Sequence, residues 1–164
     1  MQRQGFPERA APAFSDPAFN AALVHGSSLG PVPADDLRAL QQFYHDADRH
    51  RAALVLHRAV LLASEFAELL GIDAAALNHA VAGGRIFTLD VAGKTYYPAW
   101  YGDRQYSRRQ VERICYELRA LPGWSQWQFF TTPKESLRRM TPLQALRRGE
   151  FNAVCRAARG FAER

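Results

Sequence analysis

Between Ser64 and Gly83 the chain reads Ser64-Glu-Phe-Ala-Glu-Leu-Leu-Gly71-Ile-Asp73-Ala-Ala-Ala-Leu77-Asn-His-Ala-Val-Ala-Gly83, and no other stretch constrains the fold as tightly. Ser64 reads as an N-cap, with Glu65 and Glu68 in the first turn where the helix dipole favours carboxylates. Ala67 is small where a second helix must come close. Gly71 supplies the turn, because a positive φ costs glycine little. Asp73 is a second N-cap, and Leu77 with Ala80 and Val81 faces back toward Phe66 and Leu70. Two short helices around a glycine turn are the helix-turn-helix layout.

Gly83-Gly84 stops the second helix. Ile86, Thr88 and Asp90 then alternate with Phe87, Leu89 and Val91. Ala92-Gly93-Lys94 reads as a turn, and Thr95-Tyr96-Tyr97 returns before Pro98. The pattern predicts a β-hairpin, and hence a wing behind the helix pair.

The flanks are simpler. Residues 1–34 hold Pro7, Pro12, Pro17, Pro31 and Pro33 and read as a largely disordered Pro/Ala-rich tail, with a short helix around Phe14, Phe19, Leu23 and Val24 as the other option. Asp35 and Asp36 open a helix carrying Leu37, Leu40, Phe43 and Tyr44, and a second helical run covers His50–Leu62; the two runs either join or break between. After the hairpin, Ser107 caps a helix with the stripe Val111, Ile114, Cys115 and Leu118, ended by Leu121-Pro-Gly-Trp124. The aromatic cluster Trp124, Trp127, Phe129 and Phe130 follows. Thr141-Pro142 starts a helix that stops near Gly149. Phe151, Val154, Cys155 and Ala158 mark a final helix. The expected fold is mainly α: a helix-turn-helix with a small β-hairpin wing packed on a C-terminal helical region. Residues 35–164 are one domain, in segments 35–62, 63–103 and 104–164.

Composition limits the class. Hydrophobic residues make up 48% and aromatics 12%, enough for a core and against wholesale disorder. No apolar run approaches the roughly 20 residues of a membrane span, and Met1–Ala13 lacks a signal-peptide core. The expected location is cytoplasmic. Cys115 and Cys155 read as reduced, partly buried thiols within helices. The net charge of +5 is uneven: residues 104–164 carry thirteen Lys/Arg against five Asp/Glu, a net of +8, while residues 1–103 carry −3. An acidic partner is therefore expected at the C-terminal part.

No catalytic pattern stands out. His45, His50 and His57, with Asp46 and Asp48 nearby, have the only metal-like grouping, but His50 and His57 lie about 10 Å apart along a helix, too far for one ion. No phosphate loop, His-Glu-x-x-His or nucleophile triad appears. Neither catalysis nor a cofactor is expected. For DNA, the second helix of the pair offers only Asn78 and His79 to base edges, with Arg85 and Lys94 as nearby cations. Residues 62–103 carry a net of −3, which gives little phosphate neutralisation. The alternative use of this helix pair is as packing scaffold.

Arg85-Ile-Phe, Tyr97-Pro-Ala-Trp100, Trp127-x-Phe-Phe130-x-x-Pro133, Leu137 and Thr141-Pro-Leu143-x-x-Leu146-Arg-x-Gly149 occur in an order and spacing that resembles the toxin-binding domain of the Xre/MbcA/ParS antitoxins. The likeness runs from about Ala63 to Ala158. It implies a helical protein that can form a homodimer and block a partner toxin, typically one that attacks NAD, by covering its active-site entrance. Framework positions carried over are Pro98, Phe130, Pro133, Leu137, Pro142, Leu143 and Gly149. Many members add an N-terminal DNA-binding domain, where this chain has its Pro-rich stretch. Exposure and charge then nominate Arg147, Arg148, Arg156 and Arg159 as the partner-binding residues. The alternative function is a winged helix-turn-helix regulator that binds DNA through Asn78, His79, Arg85 and Lys94.

Overall fold

The computed structural model describes residues 34–163. The tail expected over 1–34 lies outside this range, apart from Ala34, which opens the first helix. Among the described residues the protein is mainly helical, with seven α-helices and a small three-stranded antiparallel sheet. The chain divides into two compact units, Met1–Arg49 and His50–Arg164, so the boundary falls inside the first helix.

That helix, α1 (Ala34–Leu56), joins both runs expected for this region without a break. Asp35 and Asp36 sit in its first turn, where their charge opposes the positive end of the dipole. In the first unit its surface is held by local ion pairs, Arg38 with Asp35 at 3.5 Å and Arg49 with Asp46.

The second unit contains the core. The helix expected to run to Leu62 stops at Leu56 instead. Arg58 adopts a left-handed φ of 53°, and the Ala59 N–H returns to the Leu54 carbonyl at 2.9 Å. Val60–Leu61 then forms strand β1, with both side chains buried. Pairing inside the core outweighs the helical spacing, as tertiary context often does. Helix α2 (Ala63–Leu70) begins one residue before Ser64, and its N-cap is Leu62. The Glu65 carboxylate accepts from the Leu62 N–H at 3.1 Å. That bond, with Arg58 at 3.0 Å, holds Glu65 below the usual carboxylate range.

The rest of the helix pair follows its local signals. Gly71 has φ 64°, and the Asp73 carboxylate accepts from the Ala76 N–H at 2.7 Å to start α3 (Ala74–Ala82). Phe66, Leu77 and Ala80 are buried together. Strand β2 covers only Leu89–Val91, shorter than the alternation from Ile86 suggests. Ile86 and Phe87 are both buried, so the chain there has no solvent face and no strand periodicity. Ala92 and Gly93 make the tight turn, and β3 (Lys94–Pro98) returns in the register Leu89↔Tyr96, Asp90↔Thr95, Val91↔Lys94. Lys94 is thus the first strand residue and not part of the turn. The hairpin is not free-standing: β3 also pairs with β1, Val60↔Pro98 and Leu61↔Tyr97, giving the order β1-β3-β2.

A 3₁₀ turn, Ala99–Gly102, leads to α4 (Arg108–Glu117), α5 (Gly123–Thr131), a second 3₁₀ turn (Glu135–Leu137), α6 (Pro142–Arg147) and α7 (Phe151–Ala162). Ser107 holds the N-cap position of α4, but its side chain makes no capping bond. The aromatic run after Leu121 is helix α5. Aromatic rings connect the two halves of the core. Tyr97 stacks on Phe66 at 4.9 Å, Trp100 on Tyr101 at 4.6 Å, and Phe87 lies parallel to Phe130 at 6.2 Å. Phe66, Phe129 and Phe130 are fully buried, each contributing on the order of 1.5–3 kcal/mol.

Candidate partner-binding site

The C-terminal helices owe their positions to their apolar stripes. Val111, Ile114, Cys115 and Leu118 at the end of α4 meet Val154, Cys155 and Ala158 of α7, all buried. The stripes force the charged residues of both helices outward. Helix α6 is short but firmly started: Thr141 Oγ1 accepts from Gln144 N–H at 3.1 Å, and Gln144 Oε1 accepts from Thr141 N–H at 2.9 Å. This reciprocal capping with Pro142 at the first position satisfies donors the helix would otherwise leave unpaired.

Two of the four nominated arginines are paired with carboxylates within the chain. Arg147 donates to Asp103 at 3.2 Å and lies 5.1 Å from the Tyr106 ring. Arg159 donates to Glu117 at 3.3 Å, and Arg113 approaches the same carboxylate at 3.0 Å. The hydrogen bond from Arg159 is the chief cause that holds the Glu117 carboxyl below its ordinary range, with Arg113 adding to it. Glu117 in turn raises Arg159. Other arginines are engaged in the same way: Arg108 with Glu112, Arg138 with Glu150, and Arg139 with Glu135. Arg119 lies over the Tyr116 ring at 3.9 Å and donates to the Tyr116 carbonyl at 2.7 Å.

Arg148 and Arg156 differ, and so do Arg104 and Arg109, which the sequence did not nominate. All four are exposed, and none has a side-chain ion-pair or hydrogen-bond partner among the described residues. Arg147 and Arg148 are brought together on one surface depression of about 330 Å³, lined also by Met140 and Gln144. Arg156 and Arg159 lie apart from that lining, on α7. The depression combines two guanidinium groups with the thioether of Met140, a polarisable side chain that adapts to irregular apolar surfaces. It suits an apolar side chain flanked by carboxylates.

Next to it stands an unusual piece of backbone. Arg138 and Arg139 take left-handed φ values of 54° and 61°, within a turn closed by Lys134 N–H to Met140 carbonyl at 3.0 Å. Two successive non-glycine residues in this region store strain, of order 1 kcal/mol each. The turn fixes where Met140 meets α6. Sequence reasoning missed Met140, Gln144, Asp103 and Glu117, since their roles come from neighbours distant in the chain.

The residues nominated for DNA are all exposed: Asn78 and His79 on α3, Arg85 after its end, and Lys94 at the start of β3. The histidines His45 and His50 are exposed on α1, and His57 lies just beyond its end. Among the described residues no three His, Cys, Asp or Glu side chains are grouped as metal ligands. No helix among them is long and apolar enough to cross a membrane. Both cysteines are free and buried. A smaller cavity of about 190 Å³ lies among Gly84, Phe87, Arg119 and Gln126 and gathers no titratable cluster. Compared with known proteins, the chain matches no family model, no curated protein and no solved structure.

Proposed function

We propose that this chain is a non-catalytic, antitoxin-like binding protein that neutralises a partner toxin through its C-terminal helices. One observation carries the reading. In a region of net charge +8, where six arginines are paired with carboxylates, Arg148 stands exposed and uncommitted on the rim of the Met140 depression, with Arg104, Arg109 and Arg156 as further exposed, uncommitted cations. Desolvated guanidinium groups read carboxylates with geometric selectivity, and an adjacent apolar hollow adds an anchor. The motif order from Arg85 to Gly149 supports the same reading through its resemblance to toxin-binding domains. The partner is expected to present Asp or Glu around a protruding apolar side chain. The test is co-purification of the full chain with the product of the neighbouring reading frame. An Arg148→Glu/Arg156→Glu variant should weaken the complex by at least about tenfold, whereas unchanged affinity overturns the assigned surface.

A second reading has its own supporting observation. The order helix, strand, helix, turn, helix, hairpin, with Asn78 and His79 exposed on α3, is compatible with a winged helix-turn-helix that binds duplex DNA. The net −3 of residues 62–103 argues against it. DNA binding that falls steeply with salt and is lost in Asn78→Ala/His79→Ala would favour this reading over the first.

A further inference from the structure

We infer that the cavity between Gly84 and α5 binds a small aliphatic α-amino acid, with its ammonium on Gln126 and its carboxylate on Arg119. An orphaned acceptor points to a ligand there. Gln126 is only 5% exposed and lines the cavity of about 190 Å³. Its amide nitrogen donates to the Leu121 carbonyl at 3.0 Å, which fixes the amide with its oxygen as the open acceptor. That oxygen is shielded from water and has no hydrogen-bond partner among the described residues. Buried acceptors in folded proteins are almost always met by a donor. Here the donor has to come from what fills the cavity. Thr88 adds a second acceptor, since its carbonyl oxygen is set against Gly123 and both residues line the same space.

Arg119, on the same lining, makes the opposite demand. Its stem packs directly on Gly84, where an added Cβ would stand 2.8 Å from the Arg119 Cβ. Its guanidinium lies over the Tyr116 ring at 3.9 Å and gives one N–H to the Tyr116 carbonyl at 2.7 Å. Arg119 has no carboxylate partner among the described residues, so this held group still has donors to offer an anion. Val81, Ile86 and Leu121 supply apolar wall that suits an aliphatic side chain. The volume equals roughly six waters at about 30 Å³ each, the size of one small metabolite. A simple amine leaves Arg119 unanswered, and a simple acid sets its oxygens against two acceptors. An ammonium and a carboxylate on one carbon answer both demands. The cavity shares no lining residue with the Met140 depression, so the inference stands apart from the proposed partner binding.

Isothermal titration calorimetry of the full chain with L-alanine, L-valine and L-leucine tests this. At least one should bind saturably, with Kd below about 1 mM. Its analogues lacking the ammonium or the carboxylate should bind at least about tenfold more weakly. Arg119→Met keeps the stem on Gly84 and removes the charge. It should weaken binding at least about tenfold, with an unchanged circular dichroism spectrum, because Arg119 is exposed. Gln126→Met removes the acceptor but also the bond to Leu121, so its melting temperature is recorded alongside. If it folds as the wild type does, binding should be lost; if it does not fold, the Arg119 variant and the analogues decide. Absence of saturable binding by all three amino acids up to about 20 mM overturns the inference and leaves the cavity to water. Equal affinity for the acid or the amine alone overturns it too, as does undiminished affinity in Arg119→Met.

Discussion

The Tyr101 hydroxyl lies 2.8 Å from the Cys115 thiol, in a part of the core where both side chains are shielded from water. Burial pushes the Cys115 thiol up to about 12 and raises Tyr101 well above the usual phenol range. Both groups therefore stay protonated in the fold after the unfolded chain has begun to release their protons. Their contribution is complete below pH 9, the ordinary thiol value, and is lost as pH rises from there toward 12. The slope is about 1.4 kcal/mol per pH unit for each proton involved. Chemical denaturation at stepped alkaline pH should show this loss, and Cys115→Ala should flatten it. A thiol reagent at neutral pH should leave Cys115 unmodified until the protein unfolds.

Glu117 is predicted to act on the acid side. Its carboxyl is lowered, so the stability it provides is present at neutral pH and disappears as pH falls through its depressed value. Glu117→Gln should cost less than about 1 kcal/mol at pH 7, because Arg113 and Arg159 are both more than half exposed. The difference from wild type should vanish once wild-type Glu117 is itself protonated. Urea midpoints measured at both pH values check it. Arg159→Ala should reproduce the direction of this effect and leave partner affinity within about threefold, which separates a fold role from a binding role.

Two glycines should respond very differently to alanine. A Cβ on Gly123 would stand 1.8 Å from the Thr88 carbonyl oxygen, so α5 or the segment before β2 must move. Gly123→Ala should cost at least about 2 kcal/mol. A Cβ on Gly102 meets only the side chain of Leu69, which is 46% exposed and can swing away. Gly102→Ala should cost less than half as much. Equal losses in urea titration would contradict this account of their surroundings.

The hairpin turn offers a stabilising change. Ala92 and Gly93 both have positive φ, 52° and 76°, the geometry for which Asn-Gly is preferred. Ala92 is exposed, and Asp90 already accepts from the Gly93 N–H at 3.2 Å. Ala92→Asn should raise stability by about 0.5–1 kcal/mol, read as a higher melting temperature.

These residues also show what the sequence makes legible. The caps at Asp73 and Thr141, the turns at Gly71 and Gly93, and the buried stripes of α4 and α7 were readable because each signal lies within a few residues of its effect. Strand β1 was not, since two residues carry no periodicity and Val60 and Leu61 become a strand only through Pro98 and Tyr97. Helix α5 was hidden by aromatics on several of its sides. Its buried Phe129 and Phe130 and its half-buried Trp124 and Trp127 give no single stripe. The four nominated arginines rest on expected exposure and charge, without a motif to direct the choice. Arg147 and Arg159 find carboxylates 44 and 42 positions away in the chain, and no local pattern could separate them from Arg148 and Arg156.

The small sheet has a further consequence for how anything can attach to this protein. Its β2 side is sealed: the Trp124 indole N–H donates to the Asp90 carbonyl at 3.1 Å, and the Thr88 carbonyl is pressed against Gly123. Its other edge, β1, is only two residues long. An incoming extended peptide finds no ladder on which to continue, and neither does a misfolded neighbour. With a two-residue strand at one edge and the Asp90 carbonyl taken by Trp124 at the other, the sheet offers little template for aggregation along its edges.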